Sequence, residues 1–325
     1  LLLAAETRHG KQKELTIAWG RRMKIFMTGG TGFVGTTLTR ELTAKGHSVT
    51  VLMRKVESGK SLPSGAISLE GDPTIRGDWQ ERVPEHEAFI NLAGASIFTR
   101  WTDDAKRAIR DSRILTTRHL VEAMAPRKGK ETHLFSTSAV GYYGFHGDED
   151  LFEESPPGTD FLATLAREWE AEAVKAKEHG ARVILTRFGI VMGRSGGMLG
   201  EVAPIFRMFL GANLGSGSQW LSWVHEMDLA RIFLFLLENR SLEGPVNCTA
   251  PEPVRNSEFT DTLGKVLGVP TFLPPVPGFM LRLMKGEFGS IILKGQRVLP
   301  RRLLAAGFQF RYPTLKEALT EILQK

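Results

Sequence analysis

The chain has 325 residues, a formal net charge of +6, and 42% hydrophobic against 24% charged residues, enough for a sizeable core in one large domain with a lobe or in two closely joined domains. Lys and Arg are spread along it without a block of like charges, which excludes a nucleic-acid tail, and no apolar run reaches the roughly 18 residues of a membrane span. The one cysteine, Cys248, excludes an internal disulfide framework, argues against a Cys-based metal site and suits a reducing cytoplasm.

Residues 1–22 have no basic segment ahead of their short apolar start and no small-residue cleavage pattern, so they are expected to lie outside a fold that begins at Met23. From Met23 an apolar stretch of strand character ends in glycines at 29, 32 and 35, and Val34, Leu38 and Leu42 then recur at helical spacing. That order is strand, tight turn, helix. Glycine serves such a turn by taking positive φ and by letting a bare backbone approach a pyrophosphate, while the helix offers free N–H groups and the positive end of its dipole. The turn residues Gly29, Thr31, Gly32, Phe33, Val34 and Gly35 are therefore candidate dinucleotide contacts. Lys45-Gly46 closes the helix, and His47 to Met53 reads as the second strand.

About twenty residues past the turn, where an NAD site carries an acid for the ribose 2′-hydroxyl, stand Arg54 and Lys55. Two cations there favour the 2′-phosphate of NADP over NAD, Arg54 being the candidate contact. Ala66 to Asp72 reads as a third strand and Ala88 to Ala95 as a fourth. A long helical stretch from Arg100 to Leu120 carries Arg107, Arg110, Arg113 and Arg118. His133 to Ser138 is a fifth strand running into Ala139-Val140-Gly141-Tyr142-Tyr143-Gly144, and Ala181 to Gly193 a sixth. Cys248, at the end of Pro245-Val246-Asn247-Cys248, reads as a small core residue of a buried strand. The last third is punctuated by prolines and ends in an amphipathic helix.

The glycine order G-x-x-G-x-x-G resembles the short-chain dehydrogenase/reductase family, in particular its extended, epimerase-like branch. Taken with Asn91 to Ile97, Arg110 to Thr117, Ser136 to Gly144, Arg187 to Gly197, Gly215 to Asp228 and Gly295 to Pro300, it is similar to uncharacterised epimerase-family proteins of the YfcH type, from Met23 to the end. The resemblance implies an α/β fold: a Rossmann-like doubly wound parallel sheet over residues 23–250, with 191–218 contributing to a substrate lobe that a smaller C-terminal lobe over 251–325 completes. It implies further cofactor contacts at Asn91, Leu92, Ala93 and Gly94, at Arg113 and at Arg187, with Asp72 either beside the adenine or opening a turn. Ser138 takes the place of the hydroxyl that holds the reacting substrate oxygen, and Asp228 that of a helix cap. No metal, nucleic acid or membrane partner is implied, only a small-molecule substrate, in a cytoplasmic setting.

One departure is plain. The family's Tyr-x-x-x-Lys pair belongs about 25 residues after Ser138, a spacing known from the resemblance, and the stretch Asp160 to Glu170 contains neither residue type. Tyr312 and Lys316 match the spacing near the C-terminus, where they read as coincidence. Tyr142 and Tyr143 are the phenols left to act with Ser138. Two functions stay open: an NADP-dependent oxidoreductase or epimerase acting on a nucleotide sugar or carbonyl compound, and a cofactor-binding interaction protein with little or no turnover.

Overall fold

The computed structural model describes residues 21–55, 62–194 and 196–324; most of the N-terminal stretch set aside above lies outside the described residues. Seven parallel strands form the central sheet: β1 (Lys24–Thr28), β2 (Ser48–Met53), β3 (Ala66–Glu70), β4 (Ala88–Asn91), β5 (His133–Ala139), β6 (Arg182–Phe188) and β7 (Gly244–Cys248). Their order across the sheet is β7-β6-β5-β4-β1-β2-β3. The central strands β1, β2 and β4 read as largely apolar runs because helices cover both faces, so alternate residues enter two different cores. Ile25 and Met27 join Leu38, Leu42, Leu229 and Phe233 on one side, while Phe26 joins Phe89, Leu120, Leu134 and Val183 on the other. Cys248 is fully buried in the first cluster, as its apolar neighbours suggested.

The covering helices are α1 (Phe33–Ala44), α2 (Asp103–Ala123), α3 (Phe161–Val174) and, after α4 (Gly197–Arg207), α5 (Glu226–Glu238). The chain order reverses direction at β1, which lies between β4 and β2, and the carboxyl ends of those strands frame a crevice. Gly46 ends the first helical unit at φ 83°, a conformation that suits glycine.

The sixth strand is shorter than its sequence suggested. It leaves the sheet at Gly189, where an added Cβ would lie 2.6 Å from the Ser222 carbonyl oxygen, and a separate strand Ile190–Gly193 pairs with Trp223–His225. Beyond it come α6 (Asn256–Leu267), α7 (Gly278–Lys285), α8 (Glu287–Ile291), α9 (Arg301–Ala305) and α10 (Leu315–Gln324). Phe206, Trp223, Leu263 and Leu319 gather α4, α6 and α10 around a third apolar cluster. Asp228 does not cap α5. His225 does, accepting the Met227 N–H through Nδ1 at 3.0 Å, while the buried Asp228 carboxylate accepts the Arg311 and Tyr312 N–H groups at 2.8 Å and ties α5 to the segment before α10. The spacing match at Tyr312 and Lys316 thus belongs to the third cluster, with Tyr312 packed on His225 at 4.1 Å.

Candidate cofactor cleft and buried polar network

The glycines of the first turn have three different jobs. Gly29 sits at φ 71°, and an added Cβ would stand 2.8 Å from the Ala93 nitrogen, so this position lets the turn close on the end of β4. A Cβ on Gly35 would lie 2.2 Å from the Gly29 oxygen and 2.6 Å from Gly30 Cα, so it permits α1 to meet the strand. Gly32 is exposed, and its Cβ would approach only the Gly29 oxygen, at 3.3 Å. The space in front of Gly32 is open, and α1 begins there with no side-chain cap and no acid in its first turn. This is the anion-receiving end of a helix, kept clear of side chains.

The other turn residues divide accordingly. Thr31 is exposed beside Gly32, whereas Val34 packs against the core. Phe33 lies under the loop that follows Ile190–Gly193: a Cβ at Gly196 would meet its ring at 2.8 Å and one at Gly193 at 2.7 Å. Its side chain is a floor for that loop.

Around the crevice, Gly94 is exposed and the Arg113 guanidinium stands directly behind it, Cζ being 3.0 Å from where a Cβ would be. Arg113 Nη1 donates to the carbonyls of Ala95 (3.0 Å) and Ile109 (2.9 Å), its Cζ lies 5.2 Å from the Trp169 ring centroid, and among the described residues no carboxylate pairs with it. Burial pulls its pKa down to about 10, which leaves it a cation at neutral pH. A half-buried cation with no acid partner among the described residues, next to a side-chain-free cradle, fits an anionic cofactor. Arg54 is exposed at the end of β2 and makes no ion pair among the described residues. Asp72 is engaged as a turn opener, its Oδ1 accepting from the Thr74 N–H at 2.8 Å and the Thr74 hydroxyl at 2.7 Å.

The Asn91 side chain is engaged in the core. Fully buried, it accepts from the Thr28 hydroxyl (2.6 Å) and donates to Thr117 Oγ1 (2.8 Å), which also takes the Trp169 indole N–H at 2.8 Å. Its side chain ties β1, β4, α2 and α3 together. Leu92 and Ala93 meet the turn by backbone, through Gly29.

A second group of polar residues lies at the ends of β5 and β6, and it is sealed. Ser138 Oγ donates to Glu170 Oε1 at 2.6 Å; Arg187 grips the same carboxylate through Nε (2.8 Å) and Nη2 (2.9 Å) and donates from Nη1 to the Tyr143 hydroxyl at 2.9 Å. Tyr143 in turn donates to Asn247 Oδ1 at 2.6 Å. Ser138 is 1% exposed, Tyr143 0% and Arg187 3%, values that leave none of them surface to offer a ligand. Arg187 is therefore the counterion of Glu170, and its guanidinium, like the Ser138 and Tyr143 hydroxyls, is engaged within the network. Burial drives the Tyr143 phenol up to about 12, further from use as a base. Burial pulls the Arg187 guanidinium down, but its bonds to Glu170 outweigh that and hold its pKa above the ordinary value.

Glu170 stands on α3, the helix that should carry the Tyr-x-x-x-Lys pair, and Trp169 beside it fills the α2 contact. The third candidate, Tyr142, is only partly buried, with the Arg187 guanidinium 3.5 Å from its ring centroid. Sequence reasoning missed Glu170, Asn247 and Glu153. Glu153 Oε1 accepts the Asn247 and Arg302 N–H groups at 3.1 and 3.3 Å, Oε2 has no partner among the described residues, and burial raises its pKa. Among the described residues no cluster of His, Cys, Asp and Glu could hold a metal ion. An open depression between Lys24, Ser48, Glu87 and Arg127 lies at the opposite, amino end of the strands, away from both groups.

A parallel sheet with a side-chain-free glycine turn at its switch point defines a dinucleotide-binding Rossmann protein. Residues 25–248 match the NAD dependent epimerase/dehydratase family, and the chain belongs to it; residues 276–322 match a domain of unknown function, DUF1731. Among its relatives are the chloroplastic epimerase family protein SDR39U1 homolog of Arabidopsis thaliana, 41% identical over 93% of this chain and 87% of that one, and the epimerase family protein YfhF of Bacillus subtilis, 37% identical over 93% and 98%. The crystal structure of human epimerase family protein SDR39U1 with NADPH superposes with a TM-score of 0.81 at 34% identity, covering 93% of this chain and all of that one. A Thermus thermophilus UDP-glucose 4-epimerase, 21% identical with a TM-score of 0.75 over 93% of this chain and 98% of that one, shares the fold.

Proposed function

We propose that this chain binds NADP(H) across the carboxyl ends of β1, β2 and β4, and that Tyr142 is its one side-chain proton donor. The observation that carries the reading is the cleft itself: Gly32 leaves the start of α1 open, Arg113 is a half-buried cation with no acid partner among the described residues, and Arg54 takes the place of the acid an NAD site would need. The NADPH in the human relative supports the same choice of cofactor. A bound nicotinamide would supply or accept hydride. The residues of this chain do the rest: Gly32 and the first turn of α1 receive the pyrophosphate, Arg54 the 2′-phosphate, and Arg113 adds positive potential behind Gly94.

The sealing of Ser138 and Tyr143 leaves the proton chemistry of a sugar epimerase without its usual groups. That same observation favours a second reading, a cofactor-binding protein that senses NADP(H) without turnover. A titration decides the cofactor. NADPH should bind more tightly than NADH by calorimetry, and Arg54→Ala should lower NADPH affinity about ten- to a hundredfold, as expected for a charge-assisted bond of about 1.5–3 kcal/mol. Equal affinities for the two cofactors in the unaltered chain would refute the assignment. With NADPH bound and a panel of carbonyl substrates and nucleotide sugars, Tyr142→Phe should abolish any turnover, and a chain that binds NADPH yet turns over nothing is the second protein, not the first.

A further inference from the structure

A ring of chain segments, linked by contacts, runs out from the cofactor turn and back to it. From Gly29, which meets Ala93, the loop after β4 runs to Trp101, which bridges to Gly286 between α7 and α8. An ion pair of Lys106 with Glu287, and Phe98 edge-on to Phe288 at 5.8 Å, fasten the same junction. Ahead of α7, Val276 pairs with Leu214 and donates its N–H to the Asn213 carbonyl at 2.8 Å. From there the chain leads back through residues 208–214 and α4 to Gly196, stacked on Phe33 in the first turn. The ring starts and ends at the cofactor turn.

Two arcs of it are apolar and uncovered. Met208, Phe209 and Leu210 are 59%, 59% and 56% exposed, and Phe279, Leu283 and Met284 are 71%, 76% and 65% exposed on α7, a helix with no buried residue. Phe209 holds φ 61°, the one positive φ at a non-glycine position among the described residues, a strained conformation for a bulky side chain. The charged residues in 205–214 and 276–286 are all cations, Arg207, Arg282 and Lys285, and the one neutral polar side chain is Asn213. Such segments have little with which to hydrogen-bond a sugar. They present hydrocarbon and positive charge.

Resting on the reading that the cleft binds NADP(H), we infer that the site takes a long-chain anionic amphiphile: an extended hydrocarbon lying along α7 and 208–210, with an acidic head held by the cations of the same arcs. Hydrocarbon against Phe279 and Leu283 is driven by burial of their exposed surface, and the three cations of the arcs, whose neighbouring acid Glu287 is paired with Lys106, make the charge complementary to an anionic head.

The test uses the full chain saturated with NADPH and the fluorescent fatty acid 11-(dansylamino)undecanoate. Saturable binding is expected, weakened about tenfold or more by Phe279→Ser with Leu283→Ser, two exposed positions whose change leaves the fold intact. Arg282→Gln with Lys285→Gln should weaken the acid and spare the corresponding dansyl alcohol. NADPH affinity, followed separately, should be the same in every variant. Absence of saturable probe binding, or binding that none of these substitutions alters, overturns the inference while normal NADPH affinity leaves the cofactor reading standing. Sedimentation showing that the apolar substitutions convert a dimer to a monomer would make this face a self-association surface and would also overturn it. Loss of NADPH binding by the unaltered chain would instead strike the cofactor reading.

Discussion

The glycine turn after β1 and the polar network at the ends of β5 and β6 occupy the same edge of one sheet and are built in opposite ways. The turn is made of backbone: its glycines remove side chains so that N–H groups and space remain for something else. The network is made of side chains and is closed on itself, the Glu170 carboxylate meeting Ser138 and Arg187, and Arg187 meeting Tyr143. A binding site keeps donors unspent, whereas a structural lock spends them. In an epimerase-family chain the second region is where proton chemistry belongs, and here a buried ion pair stands in it. Charges of this kind are costly to bury unless paired, so once Glu170 is present Arg187 is committed to it.

The largest effect should come from breaking that lock. Arg187→Met strands the Glu170 carboxylate and should cost about 3–5 kcal/mol in urea unfolding, while replacing both residues, Glu170→Leu with Arg187→Met, should recover most of it. A single change that costs under about 1 kcal/mol would mean the network is not closed in the sense argued.

A second comparison sharpens the contrast within the turn. Gly32→Val should abolish NADPH binding with a smaller change in melting temperature, because its Cβ approaches only the Gly29 oxygen, at 3.3 Å, whereas Gly35→Ala should destabilise the fold by about 1–3 kcal/mol because its Cβ is forced against the Gly29 backbone at 2.2 Å. Normal NADPH binding by Gly32→Val would dismiss the site.

The smallest effect concerns pH. Burial lowers the pKa of His225, as it does for His47, His86 and His133, and the folded form keeps Nδ1 unprotonated to cap α5. A depressed folded pKa gives stability that is present above the unfolded value of about 6.5 and is lost as pH falls through the folded one. Melting temperature should therefore fall as pH is lowered from 7 to 5. His225→Asn, which offers a capping oxygen in place of Nδ1 and does not titrate, should make that fall shallower, the cap itself being worth about 1 kcal/mol. An unchanged slope would assign the acid sensitivity to the other histidines.

What was legible in the sequence was local. Three glycines between an apolar strand and a helical stripe announced the turn, Arg54 announced the missing acid, and the alternation of strands and helices announced a parallel sheet, because each depends on neighbours a few residues apart. The break at Gly189 and the cross-link by Asp228 were not legible, since the first answers to Ser222 and the second to Arg311 and Tyr312. The fate of Ser138 was hidden for the same reason: it depends on Glu170, Glu170 on Arg187, and Arg187 on Tyr143, residues that no period or spacing joins. Conformational freedom and hydrophobic periodicity are written into adjacent residues, so the sequence alone determined the fold class and the place of the glycine turn. Whether a polar side chain is a catalyst or a strut depends on which distant groups consume its hydrogen bonds and how much water reaches it, and only the tertiary structure decided that.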